Sequence, residues 1–219
     1  MIIDFVHDLV CPWSRIGYAN LRTAIAEHPE YDVEIRFRPY QLNADVPMAG
    51  VPYAVYLLSI ANAGNTDGAA IEARINAAAE KAGITFNFDK VKTMPNSLLA
   101  HTLTAAAGEA DRAKVIEALH KAYWEDGRDI GDADTLVEIA GECGLDPVAM
   151  RVAIDFPDLR NRVKELAARM HTDGVNQVPF YVFNDTLSMA GAYQPIQIGA
   201  AMAKATELVA AQPAAGTEA

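Results

Sequence analysis

Cysteine is scarce in this chain of 219 residues: only Cys11 and Cys143 occur. Two are too few for a disulfide-stapled scaffold, and neither has the C-x-x-C or histidine pairing of a zinc site. Basic residues are outnumbered, 18 Lys and Arg against 29 Asp and Glu, for a formal net charge of −11. With no positive surplus to displace phosphate counterions, a general nucleic-acid binder is excluded. No stretch approaches the roughly 18 uninterrupted apolar residues of a membrane span. Met1 leads straight into an apolar segment with no positive n-region or small-residue cleavage site, so the expected location is the cytosol, away from membranes. No Gly-rich phosphate cradle is present, and His28, His120 and His171 have no partners at ligand spacing, so no metal is expected. What remains is an acidic chain, 51% hydrophobic, long enough to bury a sizeable core.

The apolar run Ile2–Val6 reads as a strand, the segment from Trp13 to about Ala26 as a helix, and the alternation Val33–Arg38 as a second strand. Near the other end, Phe180–Phe183 and Leu187–Ala190 flank the turn-rich Asn184-Asp185-Thr186, the pattern of an antiparallel hairpin. A helix from Gln194 to about Ala210 follows, and Gln212–Ala219 reads as a frayed tail. Between these halves helical signals repeat and almost nothing reads as a strand. Pro52 and Pro95 open helices, and Gly83, Gly144 and Gly174 end them. Leu98, Leu99 and Leu103, then Val115, Leu119 and Tyr123, then Leu136, Ile139 and Cys143, then Leu159, Val163, Leu166 and Met170 mark apolar faces. Cys143 on such a face reads as core. The order is β-α-β, a helical insert, then β-β-α, which resembles a thioredoxin fold with an inserted helical domain; the thioredoxin-like parts are expected at 1–51 and 174–219 and the insert at 52–173.

Cys11-Pro12-Trp13-Ser14 lies between the first strand and the first helix. Pro12 fits the first helical position, where no N–H is needed. A sulfur at the N-cap meets unpaired backbone N–H groups and the positive end of the helix dipole, both of which favour thiolate. Ser14 stands where a second cysteine would close a local disulfide, so the chain can attack through one sulfur only. Its hydroxyl, one turn on, is placed to donate to that sulfur; a plain capping role is the alternative. Trp13 is expected to cover the thiol and wall the substrate.

Several segments together resemble the DsbA superfamily, closest to its cytosolic FrnE-like branch and related to kappa-class glutathione transferases and 2-hydroxychromene-2-carboxylate isomerases. They are Asp8-Leu9-Val10-Cys11-Pro12-Trp13-Ser14, Arg38-Pro39-Tyr40-Gln41-Leu42-Asn43, Met94-Pro95-Asn96-Ser97 with His101, Val175-Asn176-Gln177-Val178-Pro179-Phe180, and Ala190-Gly191-Ala192. The resemblance implies a thioredoxin fold with a helical insertion and a cis proline at Val178-Pro179 beside the cysteine. It also implies that Asn96 and His101 face the active-site groove as substrate contacts. The alternative for these two is an N-terminal cap and an interdomain hydrogen bond. His7 and Asp8 precede the motif without an assigned role.

Departures from the family bear on activity. FrnE-like members usually carry Cys-Pro-Trp-Cys, and the isomerase and kappa relatives Ser-Pro-Tyr-Ser; this chain keeps the first cysteine and lacks the second. Tyr193 replaces a Gln common in the FrnE-like branch, and the Gly-Gln-Asp-Arg segment of the isomerase branch is absent. The resemblance therefore implies an oxidoreductase in which Cys11 and Ser14 are catalytic and Pro12, Trp13, Asn96, His101, Val178 and Pro179 line the substrate site. Its partner is a small or peptidic thiol or disulfide. No cofactor is held tightly; glutathione serves as cosubstrate, since a monothiol needs an external thiol to finish its cycle. A homodimer suits relatives with such inserts. Two other readings stand beside this one: a glutathione-dependent isomerase or transferase, and a non-catalytic thioredoxin-fold binding module.

Overall fold

The computed structural model describes residues 1–211, so the tail expected at 212–219 lies outside the described residues. Strand β1 (Ile2–His7) leads through Asp8–Cys11 into helix α1 (Pro12–Glu27), and β2 (Glu34–Pro39) follows. The insert comprises β3 (Val51–Pro52), α2 (Tyr53–Ala63), α3 (Gly68–Lys81), β4 (Thr93–Met94), α4 (Leu98–Ala106), α5 (Gly108–Trp124), α6 (Ala133–Glu142), α7 (Pro147–Asp155) and α8 (Pro157–Thr172). The chain closes with the hairpin β5 (Phe180–Phe183) and β6 (Leu187–Ala190) and helix α9 (Pro195–Ala211). The four-stranded sheet has the order β2-β1-β5-β6, with β1 parallel to β2 and antiparallel to β5.

The period of two along a strand sends alternate residues to opposite faces. Ile3, Phe5, Tyr181 and Phe183 are fully buried on one face, in the core with Ile16 and Leu21 of α1 and Ile198 and Met202 of α9. Asp4, Val6, Phe180 and Val182 occupy the other, toward α8. The insert has its own apolar centre in Leu103, Ile116, Leu119, Tyr123, Leu136 and Ile139, continuous with the first. Cys143 is buried there as a free thiol.

Three features depart from the sequence expectation. The helix expected at Pro95 starts at Leu98, because Thr93–Met94 pairs with Val51–Pro52 as a short ladder. Two-residue strands are too short to show a period of two. Helix α7 gave no apolar stripe, since Val148 and Val152 are exposed and only Ile154 is buried; Asp146, which accepts from Val148 N at 2.9 Å, and Pro147 at its first turn set it instead. Leu166, expected on the apolar face of α8, is exposed. Helix α8 packs against β2 as well as against α4 and α7, and so covers the sheet while belonging in sequence to the insert.

Candidate active site at the start of the first helix

Cys11 is the N-cap of α1 with extended backbone (φ −94°, ψ 114°), and its carbonyl accepts from the N–H groups of Ser14 (3.1 Å) and Arg15 (3.3 Å). The thiol does not project into solvent. It is 3% exposed, packed among Val6, Tyr40, Val175 and Val178 with Trp13 alongside, and it donates to the Val178 carbonyl at 3.7 Å. The Val178–Pro179 peptide bond is cis. Gly17, on α1, lies against this segment: a Cβ there would collide with the Pro179 ring and the Tyr181 hydroxyl. The absent side chain lets the helix approach the proline.

Burial opposes the thiolate expected from the helix N-terminus. Burial pushes the Cys11 thiol up to about 11, and the nearby Asp8 carboxylate adds to the rise. Hydrogen bonds from the Ser14 hydroxyl and from the Ser14 and Trp13 N–H groups pull the other way without cancelling it. The Ser14 oxygen already accepts from Asp8 N at 3.3 Å, which leaves its hydrogen for the sulfur. Ser14 is fully buried.

Asp8 is likewise fully buried, yet provided for: its carboxylate accepts from Leu42 N (2.8 Å) and Val10 N (3.4 Å) and stands 3.5 Å from His101 Nε2. His101, on α4, also reaches the Tyr40 carbonyl at 3.1 Å. Asn96 is spent inside the protein. Its oxygen accepts from Gln41 Nε2 (2.9 Å) and Leu98 N (3.0 Å), and its amide donates to the Val46 (2.7 Å) and Ala44 (3.4 Å) carbonyls. These bonds cap α4 and hold the loop after β2. Trp124 Nε1 donates to the Leu9 carbonyl at 3.3 Å, so three residues of the insert grip the loops on either side of Cys11.

Sequence reasoning missed several neighbours. Arg15 pairs with Glu125, donates to the Thr85 carbonyl at 2.8 Å and lies 5.0 Å over Phe86, tying α1 to the insert. Arg74 of α3 sits 5.3 Å over the Trp13 ring, pinning the cover of the thiol. His7, His101 and His120, from three elements, bring their rings within 5.4 and 6.4 Å of His7. Only the fold assembles them. Among the described residues no group of three or more His, Cys, Asp or Glu is arranged to hold a metal, and no helix is long and apolar enough to cross a membrane.

Comparison with known proteins accords with this geometry. The family model described as a DSBA-like thioredoxin domain matches residues 2–203. The uncharacterized protein YwbO of Bacillus subtilis is 24% identical over 191 residues, spanning 84% of this chain and 88% of that protein. The crystal structure of a probable DsbA oxidoreductase from Streptomyces coelicolor superposes with a TM-score of 0.88 at 22% identity, covering 100% of this chain and 94% of the other. A 2-hydroxychromene-2-carboxylate isomerase gives 0.68 at 19% identity, covering 98% and 100%. The cytosolic disulfide reductase DsbM of Pseudomonas aeruginosa, solved with GSH, gives 0.64 at 16% identity, covering 96% and 98%. At these identities the structural likeness is one of fold.

Proposed function

Because this chain belongs to the DSBA-like thioredoxin domain family, we propose that it is a thiol–disulfide oxidoreductase acting through the single sulfur of Cys11. The observation that carries this reading is the meeting of Cys11 at the N-cap of α1 with the carbonyl of Val178, 3.7 Å from its sulfur, at the cis Val178–Pro179 bond. The sulfur and an extended backbone segment stand side by side there. A disulfide substrate that displaces the Sγ contact takes the Val178 carbonyl as its own hydrogen-bond acceptor, and Trp13 and Pro12 wall it.

The chemistry needs no resident cofactor. The Cys11 proton leaves and the thiolate attacks one sulfur of a disulfide RS–SR. A Cys11–S–S–R bond forms, the substrate S–S bond breaks and RS⁻ departs to take up a proton. A second thiol, R′SH, gives up its proton and its thiolate attacks the substrate-derived sulfur of Cys11–S–S–R; RS–SR′ forms, the bond to the Cys11 sulfur breaks and Cys11 leaves as thiolate to be reprotonated. Ser14, which cannot form a disulfide, stabilises the thiolate by donating its hydroxyl proton in a hydrogen bond. Asn96 and His101 act as positioning residues for the loops around Cys11. Glutathione is the resolving thiol we assign, and a reducing cytosol is where such a thiol is in supply. The GSH-bound DsbM structure supports both.

The test is incubation of a Cys143→Ala chain with glutathione disulfide, reading the intact mass and then release of the adduct by reduced glutathione. One glutathionyl adduct, absent from Cys11→Ser and discharged by glutathione, is the expected result. No adduct at any pH up to 10 overturns the monothiol reading. The raised pKa of Cys11 favours a second reading in that event: a glutathione-dependent isomerase in which Ser14 and Cys11 hydrogen-bond the thiolate of bound glutathione. It is measured by turnover of an aromatic substrate with glutathione present and none without.

A further inference from the structure

On the sheet face away from α1 lies a cavity of about 600 Å³ that the thiol chemistry does not use. Its volume falls in the roughly 300–1,000 Å³ range of small-molecule sites. Val6, Phe180 and Val182 of the sheet form one wall and Val163, Leu166 and Met170 of α8 the other, with α4 closing an end. Leu166 is exposed at this opening, which accounts for its departure from the buried face expected of it. Cys11 does not line the space. Val6, Met170 and Phe180, however, belong also to the cluster that packs around Cys11, so the cavity lies behind the thiol.

The charges on its wall are unequally spent. Arg38 pairs with Asp4 at 2.6 Å and Arg169 with Asp173 at 3.5 Å. Arg112 differs: its Nε donates to the Thr104 carbonyl at 3.2 Å, but among the described residues no carboxylate stands within ion-pair distance of its guanidinium.

We propose that this cavity binds a monocarboxylate with an apolar body, the aliphatic part against Val182, Val163 and Met170 and the carboxylate on Arg112. Arginine suits the role because its planar fork meets a carboxylate through two hydrogen bonds and stays charged at every working pH. Asp185, also on the wall, disfavours a doubly charged ligand and sets the preference for a single anionic head.

Isothermal titration of the full chain with decanoate, decanol and decyltrimethylammonium tests it. Decanoate binds saturably at one site, and the alcohol and the cation bind at least about tenfold more weakly, the loss expected of one charge-assisted contact. Arg112→Gln weakens decanoate by about tenfold and leaves decanol unchanged. Val182→Trp, which fills the cavity, abolishes uptake. Should that variant fail to fold, the methyl resonance of Met170 reports instead, shifting with decanoate in the unmodified chain. In Cys11→Ser decanoate binding persists, which separates this site from the thiol reaction. Absence of saturable binding, equal binding of the cation, or indifference to Arg112→Gln overturns the proposal.

Discussion

Two opposing effects meet at the sulfur of Cys11. The helix N-terminus supplies hydrogen-bond donors and a partial positive charge, worth at most about 2 kcal/mol in partly buried geometries. Burial removes the water that would solvate an anion, and here it wins, placing the thiol at about 11. At pH 7 such a group is ionised to about one part in ten thousand. Iodoacetamide labelling of Cys11 is therefore expected to be slow at pH 7 and to climb steadily toward pH 11, followed by intact mass in Cys143→Ala. Ser14→Ala withdraws the hydroxyl that lowers the pKa, and labelling at pH 9 falls roughly threefold to tenfold. A plateau already reached at pH 7 would contradict the burial argument. The residue pattern announced Cys11 and Ser14, because a thiol between a strand and a helix is legible locally. Its ionisation was not, because that depends on Val6, Tyr40, Val175 and Val178, which come from three separate segments.

Among the elements, α1 carries the site and its contact with the hairpin segment sets the geometry. Gly17 is the point of closest approach. Gly17→Ala forces the helix from Pro179 or the proline from Cys11, an overpacking expected to cost about 1–3 kcal/mol. Urea unfolding measures the loss, and labelling of Cys11 in the same variant rises as the cluster around the sulfur loosens. The strand–helix–strand opening and the final hairpin were readable because β1, β2, β5 and β6 alternate or run apolar over four to six residues between turn residues. The β3–β4 ladder and α7 were not. The first is too short for any period, and the second is held by capping, by buried Ile154 and by half-buried Met150, with Val148 and Val152 facing outward. Asn96 gave a signal in sequence, and its bond from Leu98 N is local, but its three hydrogen bonds to Gln41, Ala44 and Val46 exist only once the insert is docked.

Over the whole molecule, the insert and the thioredoxin-like part share one continuous core and meet around three buried histidines. Burial holds His120 down at about 3, with Arg15 and His101 lowering it further; His7 is held well below its ordinary value by burial, His101 and His120. Both are neutral when folded and charge readily when unfolded, so the unfolded chain binds more protons in acid. Their contribution to stability is complete above about pH 6.5 and is lost as pH falls toward 3. Asp8, the carboxylate facing His101, is buried in the same centre. Thermal midpoints are expected to drop continuously between pH 6.5 and 4, and His120→Gln lessens the drop. A midpoint flat across that range would mean the histidines are solvated. At the alkaline end the sign reverses: the raised Cys11 favours the folded state below about pH 9, and that contribution fades toward 11.

The sequence alone determined the family, the order of the four main strands with the helices beside them, and the place of Cys11 between the first strand and the first helix. Those depend on residue type and local spacing: an apolar run, a proline after a cysteine, a Val-Pro before a strand. The tertiary structure decided whether that sulfur is charged, what Asn96 bonds to, and that Arg74 holds Trp13 over the thiol. It also assembled the cavity between α8 and the sheet, with Arg112 on its wall. Such properties follow from desolvation and from contacts between residues distant in the chain, and no local pattern encodes either.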